Sequence, residues 1–395
     1  MVRDVGLAEE LAQDALVTAL EKWPESGIPD NPGAWLMATA KRRALDHFRR
    51  NKLLERKHEE LGRELRSQQA SALANFEISE NGEIEDDLLR LVFISCHPIL
   101  STEARVALTL RLLGGLTTSE IARAYLVPEP TIAQRIVRAK RTLSAARVPF
   151  EVPAEGERAA RLSSVIEVIY LIFNEGYSAT AGNDWMRPAL SSDALRLGRM
   201  LAELAPNEAE VHGLVALMEI QSSRFAARTT PEGEPILLLE QNRALWDQLL
   251  IRRGLAALDR ANQVGPVGPY VLQAAVAACH ARAHTADQTD WPQIAELYSQ
   301  LAAITPSPII QLNRAVAIAM SSGPAAGLEI VETLLAEPSL KNYHLLPAVR
   351  GDFLAKLSRF EEASREFSRA AALTQNARER DLLLTRARKA ATGQA

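Results

Sequence analysis

The chain has 395 residues, 47% of them hydrophobic, so it is long enough to bury the cores of two or three domains. Its 45 basic and 49 acidic residues give a net charge of −4, which excludes a uniformly basic nucleic-acid coat protein. Two cysteines exclude a disulfide framework, and no apolar run reaches transmembrane length, so we expect a cytoplasmic protein. Aromatic residues make up only 5% and few segments alternate with period two, which predicts an all-α fold.

The stretch from Gly6 to Trp23 predicts one amphipathic helix. Leucine and alanine recur on one side of it, and acidic and amide groups lie largely on the other. The polar side includes Glu10, Gln13 and Asp14. Pro24 follows and is expected to stop the helix, because proline lacks the N–H that helix continuation needs.

A second helix is predicted to start near Pro32 and to continue into a basic stretch. Between Lys41 and Arg66 ten residues are basic and five are acidic. Cations can hold a nucleic-acid backbone and an aromatic ring can stack on an unpaired base, so this helix suits strand separation. The alternative is that Trp35 belongs to a structural helical core. The candidate contact residues are Trp35, Lys41, Arg42, Arg43, His47, Arg49 and Arg50.

The next segment changes in charge. From Ser67 to Leu89 there are six acids and no base, and residues 67–85 predict a flexible acidic linker. Two helices are expected after it, the second capped by Ser101 with an acid in its first turn. Cys96 precedes a histidine, but no second pair lies nearby at ligand spacing, so we do not expect a metal site.

Residues 116–141 predict a helix-turn-helix. Thr118 is the expected N-cap of its first helix, prolines punctuate the turn, and the second helix starts at about Pro130 with a narrow apolar stripe. No acid occurs from Thr131 to Val148, and guanidinium and amide groups suit base edges in a major groove. The alternative is an amphipathic helix with a solvated basic face. The candidate DNA contacts are Thr118, Thr131, Gln134, Arg135, Arg138 and Arg141.

The C-terminal half begins near residue 151 and is predicted to be a stack of helical hairpins. Small residues that would open the second helix of each hairpin recur at spacings of 41, 32 and 36, namely at Gly254, Ala295, Gly327 and Ala363. The last unit, from Ala348 to Leu373, resembles a tetratricopeptide repeat. Stacked hairpins form a solenoid whose concave face usually binds a peptide or protein, and less often a small molecule.

Two further motifs combine polar and aromatic residues: Phe173 to Tyr177, and Glu240 to Asp247. Each could form a ligand or partner site, or could serve as helix caps and buried polar contacts. His280 and His284 stand four residues apart without a carboxylate at ligand spacing, so metal binding is not expected there either. Because no catalytic constellation or phosphate loop occurs, we predict neither an enzyme nor a cofactor.

Three segments, taken in order, resemble region 2 of bacterial extracytoplasmic-function sigma factors, which are sigma-70 family members of the sigma-24-like type. They are Ala8 to Ala15, Ala34 to Leu36 and Ala44 to Arg50. Residues 116–141 resemble region 4 of the same family. The resemblance implies that Glu10, Gln13 and Asp14 dock on RNA polymerase core (β′ and β subunits). It also implies that the helix from Trp35 meets the −10 element of promoter DNA and that the second helix of the helix-turn-helix reads the −35 element.

The resemblance gives an expected domain order, which comprises region 2 at 1–66, the linker at 67–85, region 4 at 86–150 and a tetratricopeptide-like regulatory domain at 151–395. Family members usually have one more helix before the first one here, and often a glycine where this chain has Leu126. The architecture resembles the subgroup with a C-terminal tetratricopeptide-like extension.

The sequence therefore predicts an alternative sigma factor that directs transcription initiation and carries a regulatory helical domain. One alternative is a helix-turn-helix regulator that works without core polymerase and uses the solenoid as a sensor. Such a regulator does not need the segment from Ala34 to Arg50. Another alternative is a tetratricopeptide scaffold for protein interactions.

Overall fold

The protein is described by a computed structural model, and most of the described residues are helical, which confirms the all-α prediction. They fall into two compact units, one of Met1–Thr118 with Glu129–Val165 and one of Ser119–Pro128 with Ile166–Ala395. None of the described helices is both long and apolar enough to cross a membrane. The structure describes residues 5–29, 31–33, 35–43, 90–114, 116–125, 127–148, 153 and 155–393.

The helices are numbered in chain order. The first seven are α1 (Val5–Ser26), α2 (described at 32–33 and 35–43), α3 (described at 90–95), α4 (Thr102–Leu112), α5 (Thr118–Ala124), α6 (Glu129–Ala145) and α7 (Glu155–Tyr177). The others are α8 (Pro188–Leu204), α9 (Ala209–Ser222), α10 (Gln248–Val264), α11 (Pro269–Arg282), α12 (Trp291–Ile304), α13 (Pro308–Ser322), α14 (Pro324–Leu334), α15 (Leu345–Lys356), α16 (Phe360–Leu373) and α17 (Ala377–Ala391).

Helix α1 confirms the predicted first helix but not its end. It continues through Pro24 to Ser26. Proline in general fixes φ near the helical value and removes one backbone hydrogen bond, so a helix can pass through it in its last turn. Leu11 and Ala15 are buried as expected, whereas Leu20 of the same apolar side is 76% exposed. The covered face is therefore narrower than the sequence pattern suggests.

Helices α4 and α6 pack on each other around an apolar core. Ser101 caps α4 as predicted, since its hydroxyl accepts a hydrogen bond from the Ala104 amide at 3.3 Å. The buried side of α6 contains Ile132, Ile136, Ala139 and Leu143. Cys96 is also buried, with its Sγ 3.2 Å from the Thr109 hydroxyl, and burial raises the pKa of this thiol. Its surroundings give this cysteine a packing role.

Successive C-terminal helices pack on each other, as the predicted hairpins require, including α9 on α10, α11 on α12, α13 on α14, and α15 on α16. The small residues lie where two helices touch. A Cβ on Gly254 of α10 would come within 2.5 Å of Ile220 on α9. A Cβ on Gly327 of α14 would lie 2.7 Å from the backbone oxygen of Ala315 on α13. Glycine is therefore required for the approach of these helix pairs.

The end of the chain returns to the start of the second unit. Two-residue strands at Ala181–Gly182 and Gln375–Asn376 pair in parallel. The Asn376 side-chain amide, which is buried, donates to the carbonyls of Ala179 at 3.0 Å and Asp184 at 2.8 Å. These contacts join α17 to the segment after α7, a closure that no sequence pattern predicted.

Candidate nucleic-acid interface

Helix α6 presents the polar face that the sequence predicted for DNA contact. Gln134, Arg138 and Arg141 are exposed, while Thr131 and Arg135 are partly exposed. They lie opposite the buried stripe because residues three or four apart share one side of a helix. The face carries hydrogen-bonding groups and positive charge without an acid from residue 131 to 148. It has the chemistry that base edges and phosphates require.

Thr118 occupies a different position from the one predicted. Helix α5 begins at Thr118 itself, so Thr117 is the residue that precedes the helix. Thr118 is partly buried. The predicted N-cap therefore lay one residue too far along the chain, and a role of Thr118 in DNA contact stays a prediction.

The N-terminal end of α4 lies near the polar face of α6. Glu103 is in the first turn of α4, and its pKa lies below the usual value. The largest causes are hydrogen bonds from its own backbone N–H and from the Ser101 hydroxyl, with smaller contributions from the charges of Arg135 and Arg105. Arg135 thus has an acidic neighbour within the protein, whereas Arg138 faces solvent.

Residues at the start of α7 hold the backbone around α3 in place. The Ser164 hydroxyl donates to the Cys96 carbonyl at 2.7 Å and accepts from Arg105 of α4 at 2.5 Å. Arg161 donates to the Phe93 carbonyl at 3.2 Å, and partial burial lowers its pKa. The segment that follows the helix-turn-helix is therefore bonded to the helices that support it. Nothing in the sequence singled out Arg161 or Ser164.

Trp35 packs against a second tryptophan. Its ring lies edge-on to that of Trp23, with the centroids 5.5 Å apart. Trp35 is partly buried, so its contact with α1 supports the structural alternative for this residue. An edge-to-face pair contributes about 0.5–1.5 kcal/mol beyond simple burial. Base stacking by Trp35 stays a prediction.

Arg43 contacts two residues of α1. Its guanidinium bonds the Asp14 carboxylate at 2.7 Å and the Thr18 hydroxyl at 2.8 Å. Thr18 is polar but buried, and it lies under this contact. Arg42 is exposed and Lys41 is partly buried. Asp14 and Arg43 were predicted to serve different partners, and the structure brings them together.

Several predicted contacts fall outside the described residues. These are His47, Arg49, Arg50 and the side chain of Glu10. The predicted linker at 67–85 and the turn residue Leu126 also lie outside the described residues. Gln13 is described and exposed on α1, one residue from Asp14.

Comparison with known proteins matches the same two segments. Residues 1–53 match the sequence model of sigma-70 region 2, and residues 90–143 match that of sigma-70 region 4. An uncharacterised protein of Rhizobium meliloti (strain 1021) is 42% identical over 378 residues, which cover 95% of this chain and 88% of the relative. The chain belongs to the sigma-70 family of sigma factors. Region 2 followed by region 4 is an arrangement like that of extracytoplasmic-function members, and it supports a role in transcription initiation.

The C-terminal half of this sigma factor has a match of its own. Residues 161–262 match a family of unknown function (DUF6596). This match covers α8, α9 and most of α10, together with the two polar–aromatic motifs singled out in the sequence. Membership of the subgroup with a tetratricopeptide-like extension stays a prediction.

Proposed function

We propose that this sigma factor binds RNA polymerase core, recognises the −10 and −35 elements of its promoters and is regulated by its C-terminal helical domain. The observation that carries the promoter part is the exposed polar face of α6 within the region 4 match. Arg138 and Gln134 are the strongest candidates for base contacts, because both are exposed and both pair bidentately with purines. We assign Arg141 to phosphate contact, and Thr131 to contact with either a base or a phosphate.

Core binding is assigned to the polar side of α1. Gln13 and Asp14 are exposed there, on a helix fixed to α2 by the Arg43 contact. The −10 contact is assigned to α2 and the residues after it, with Arg42 as the exposed cation among the described candidates. The acidic α1 lies beside the basic α2, so one domain has two surfaces of opposite charge. Such surfaces suit two different partners, here core polymerase and promoter DNA.

Two sets of contacts support regulation by the C-terminal domain. In the first unit, Arg161 and Ser164 of α7 hold the backbone of residues 93 and 96. A change in α7 would therefore move the helices that support α6.

In the second unit, residues 119–128 of the helix-turn-helix are grouped with the C-terminal helices. The hydroxyl of Tyr125 is buried there without a hydrogen-bond partner among the described residues. Burial raises its pKa, with a smaller contribution from the Glu175 carboxylate at the end of α7. Part of the DNA-binding motif is thus buried by elements of the extension, so we infer that the extension controls its availability.

The main test is transcription by purified core polymerase with and without the full chain, using a genomic DNA library and sequencing of transcript starts. Starts that depend on the chain and share two upstream elements support the proposal. Binding of the chain to DNA without core, and no new starts, would favour the core-independent regulator. If the chain supports neither transcription nor DNA binding, the remaining interpretation is the scaffold for protein interactions.

The regulatory part is tested by Ser164→Ala in the full chain, because this change removes both hydrogen bonds of the Ser164 hydroxyl. Ser163→Ala is the matched control, since Ser163 is exposed on the same helix. We expect Ser164→Ala to change transcript yield at least twofold while the variant remains folded by circular dichroism. Equal yields from the two variants would contradict control through α7.

A further inference from the structure

The two polar–aromatic motifs of the C-terminal domain meet in space. Tyr177 ends the first motif, and Trp246 lies in the second. Arg224, which follows α9, lies between them, with its Cζ 5.6 Å from the Tyr177 ring centroid and 5.8 Å from that of Trp246. Its guanidinium also donates to the Tyr177 hydroxyl and to Gln221. One arginine therefore joins motifs about seventy residues apart in the chain.

Two more arginines extend this arrangement. Arg228 stacks on the same Tyr177 ring that Arg224 contacts, with its Cζ 3.6 Å from the ring centroid. The Arg243 Cζ lies 4.9 Å from the Trp246 centroid. Arg224, Arg228 and Arg243 are called the arginine cluster below. Their three positive charges alternate with neutral aromatic rings.

The arginine cluster forms no ion pair within the described part of the chain, although the exposed Asp287 carboxylate attracts Arg243 at longer range. Among the described residues, no carboxylate lies within 4.0 Å of any of its three guanidiniums. Two buried acids of the same unit are already paired, Glu175 with Arg187 and Glu219 with Arg199. Arg228 is 6% exposed, and burial lowers its pKa to about 10. A buried charge without an ion-pair partner is costly, so the buried Arg228 beside two partly exposed arginines calls for an explanation.

The same place contains hydrogen-bond donors that nothing in the described structure uses. The Nε atoms of Arg224 and Arg243 and the Nε1 of Trp246 are buried without a partner. The Nδ1 of His280 is likewise unpartnered, and burial with the charges of Arg224 and Arg243 lowers the pKa of this histidine to about 4. Unsatisfied buried polar groups are rare in folded proteins, and their concentration here points to a missing acceptor.

We propose that the arginine cluster is a binding site for a small oxyanion, a ligand that carries a carboxylate or phosphate group. Guanidinium groups match both by planar, bidentate hydrogen bonding, and these charge-assisted bonds are the strong ones. Arg224 and Arg243 are partly exposed, so an anion can reach them from solvent, while the buried Arg228 adds a third positive charge at the same Tyr177 ring. Ligand binding would then stabilise the α9–α10 connection. This proposal does not depend on the promoter function.

A purely structural role is the competing explanation. Cation–π contacts with Tyr177 and Trp246 stabilise arginine by themselves, and Arg243 also holds the carbonyls of His280 and Ala283 at 2.6 and 2.7 Å. That explanation predicts a folded protein with no saturable affinity for anions. The two explanations therefore differ in one measurable property.

The test is isothermal titration calorimetry of the full chain with inorganic phosphate and, separately, with citrate, at constant ionic strength set by potassium chloride. We expect saturable binding of at least one probe, and the probe that binds identifies the group. Arg224→Gln should lower that affinity at least tenfold. Arg252→Gln, an exposed arginine of α10, should leave it unchanged. No saturable binding by the wild type, or equal affinity in Arg224→Gln, would overturn the proposal.

A second measurement needs no variant, in case Arg224→Gln fails to fold. Phenylglyoxal modifies accessible arginines, and mass spectrometry reads the extent at each position. The bound probe should protect Arg224 and Arg243 at least threefold while Arg252 reacts as before. Unchanged modification of Arg224 and Arg243 at saturating probe would place the anion elsewhere and refute the assignment.

Discussion

The Arg43 guanidinium lies 2.7 Å from the Asp14 carboxylate and so joins the helix expected to meet the −10 element to the helix expected to dock on core polymerase. Both side chains are about half exposed, at 42% and 51%. An exposed ion pair of this kind is worth about 0–1 kcal/mol. The bond from Arg43 to the buried Thr18 adds about 1 kcal/mol. The pair is therefore a modest clamp between α1 and α2.

Arg43→Ala should consequently lower the stability of region 2 by about 1–2 kcal/mol, through loss of both bonds. Arg42→Ala should cost less than about 0.5 kcal/mol, because Arg42 is exposed. Urea unfolding of the full chain, followed by tryptophan fluorescence, compares the two. If Arg42 contacts DNA, its variant should instead lose promoter opening at unchanged stability. An Arg43→Ala midpoint equal to that of the wild type would rule out the clamp.

Arg138→Ala should weaken promoter binding by the polymerase holoenzyme by about 1–3 kcal/mol if the contact is bidentate to a base. The loss should disappear on a template whose −35 element is altered at that base. Arg135→Ala is expected to act in the same way. Ser144→Ala, at an exposed position near the end of α6, is the control. Competition binding with matched and altered templates measures the effect, and equal loss on every template would mean a phosphate contact.

Arg141→Ala should weaken binding uniformly across sequences and reduce the salt slope of the affinity by about one. The physical reason is that a phosphate contact releases one counterion and reads no base. Affinities measured over a series of potassium chloride concentrations give the slope. An unchanged slope would remove Arg141 from the interface.

His280 predicts a dependence of C-terminal domain stability on pH. Burial, and then the charges of Arg224 and Arg243, lower its pKa from 6.5 to about 4. Between these values the unfolded chain holds a proton that the folded chain does not, so stability falls as the pH is lowered through this window. The loss from this residue is at most about 3 kcal/mol. Unfolding free energies at pH 7 and pH 4.5 should differ less in His280→Gln than in the wild type or in His284→Gln, whose histidine is exposed. The same pH slope in all three proteins would contradict this assignment.

Gly327→Ala should destabilise the C-terminal domain by about 1–3 kcal/mol, because the new Cβ would meet the backbone oxygen of Ala315 at 2.7 Å and backbone cannot move aside. Gly351→Ala is the matched comparison. Its Cβ would lie 3.0 Å from the ring of Phe367, a side chain that can shift. Thermal unfolding of both variants should show the larger loss for Gly327. A larger loss for Gly351 would mean that the α13–α14 contact is the looser one.

Local features of the sequence predicted the helices, the cap at Ser101, the stripe of α6 and the small residues between paired helices. Each depends on residues within about one turn or at helical spacing, where the pattern itself reports which side of a helix is covered. The exposed face of α6 followed directly from that stripe. The same reasoning misjudged Leu20 and Pro24, because the width of a buried face and the cost of one lost hydrogen bond depend on what packs nearby.

Tertiary structure alone decided which polar groups are partners. Arg43 and Asp14 are 29 residues apart, and Asn376 bonds a carbonyl 197 residues away. The sequence singled out Tyr177 and Trp246 in separate motifs but gave no reason to place Arg224 between them. Helical periodicity specifies a face and not the neighbour that covers it, and a hydrogen bond requires a neighbour at a fixed distance. For this sigma factor the sequence therefore determined the fold class and the exposed polar face of α6, whereas folding created the clamp in region 2 and the arginine cluster.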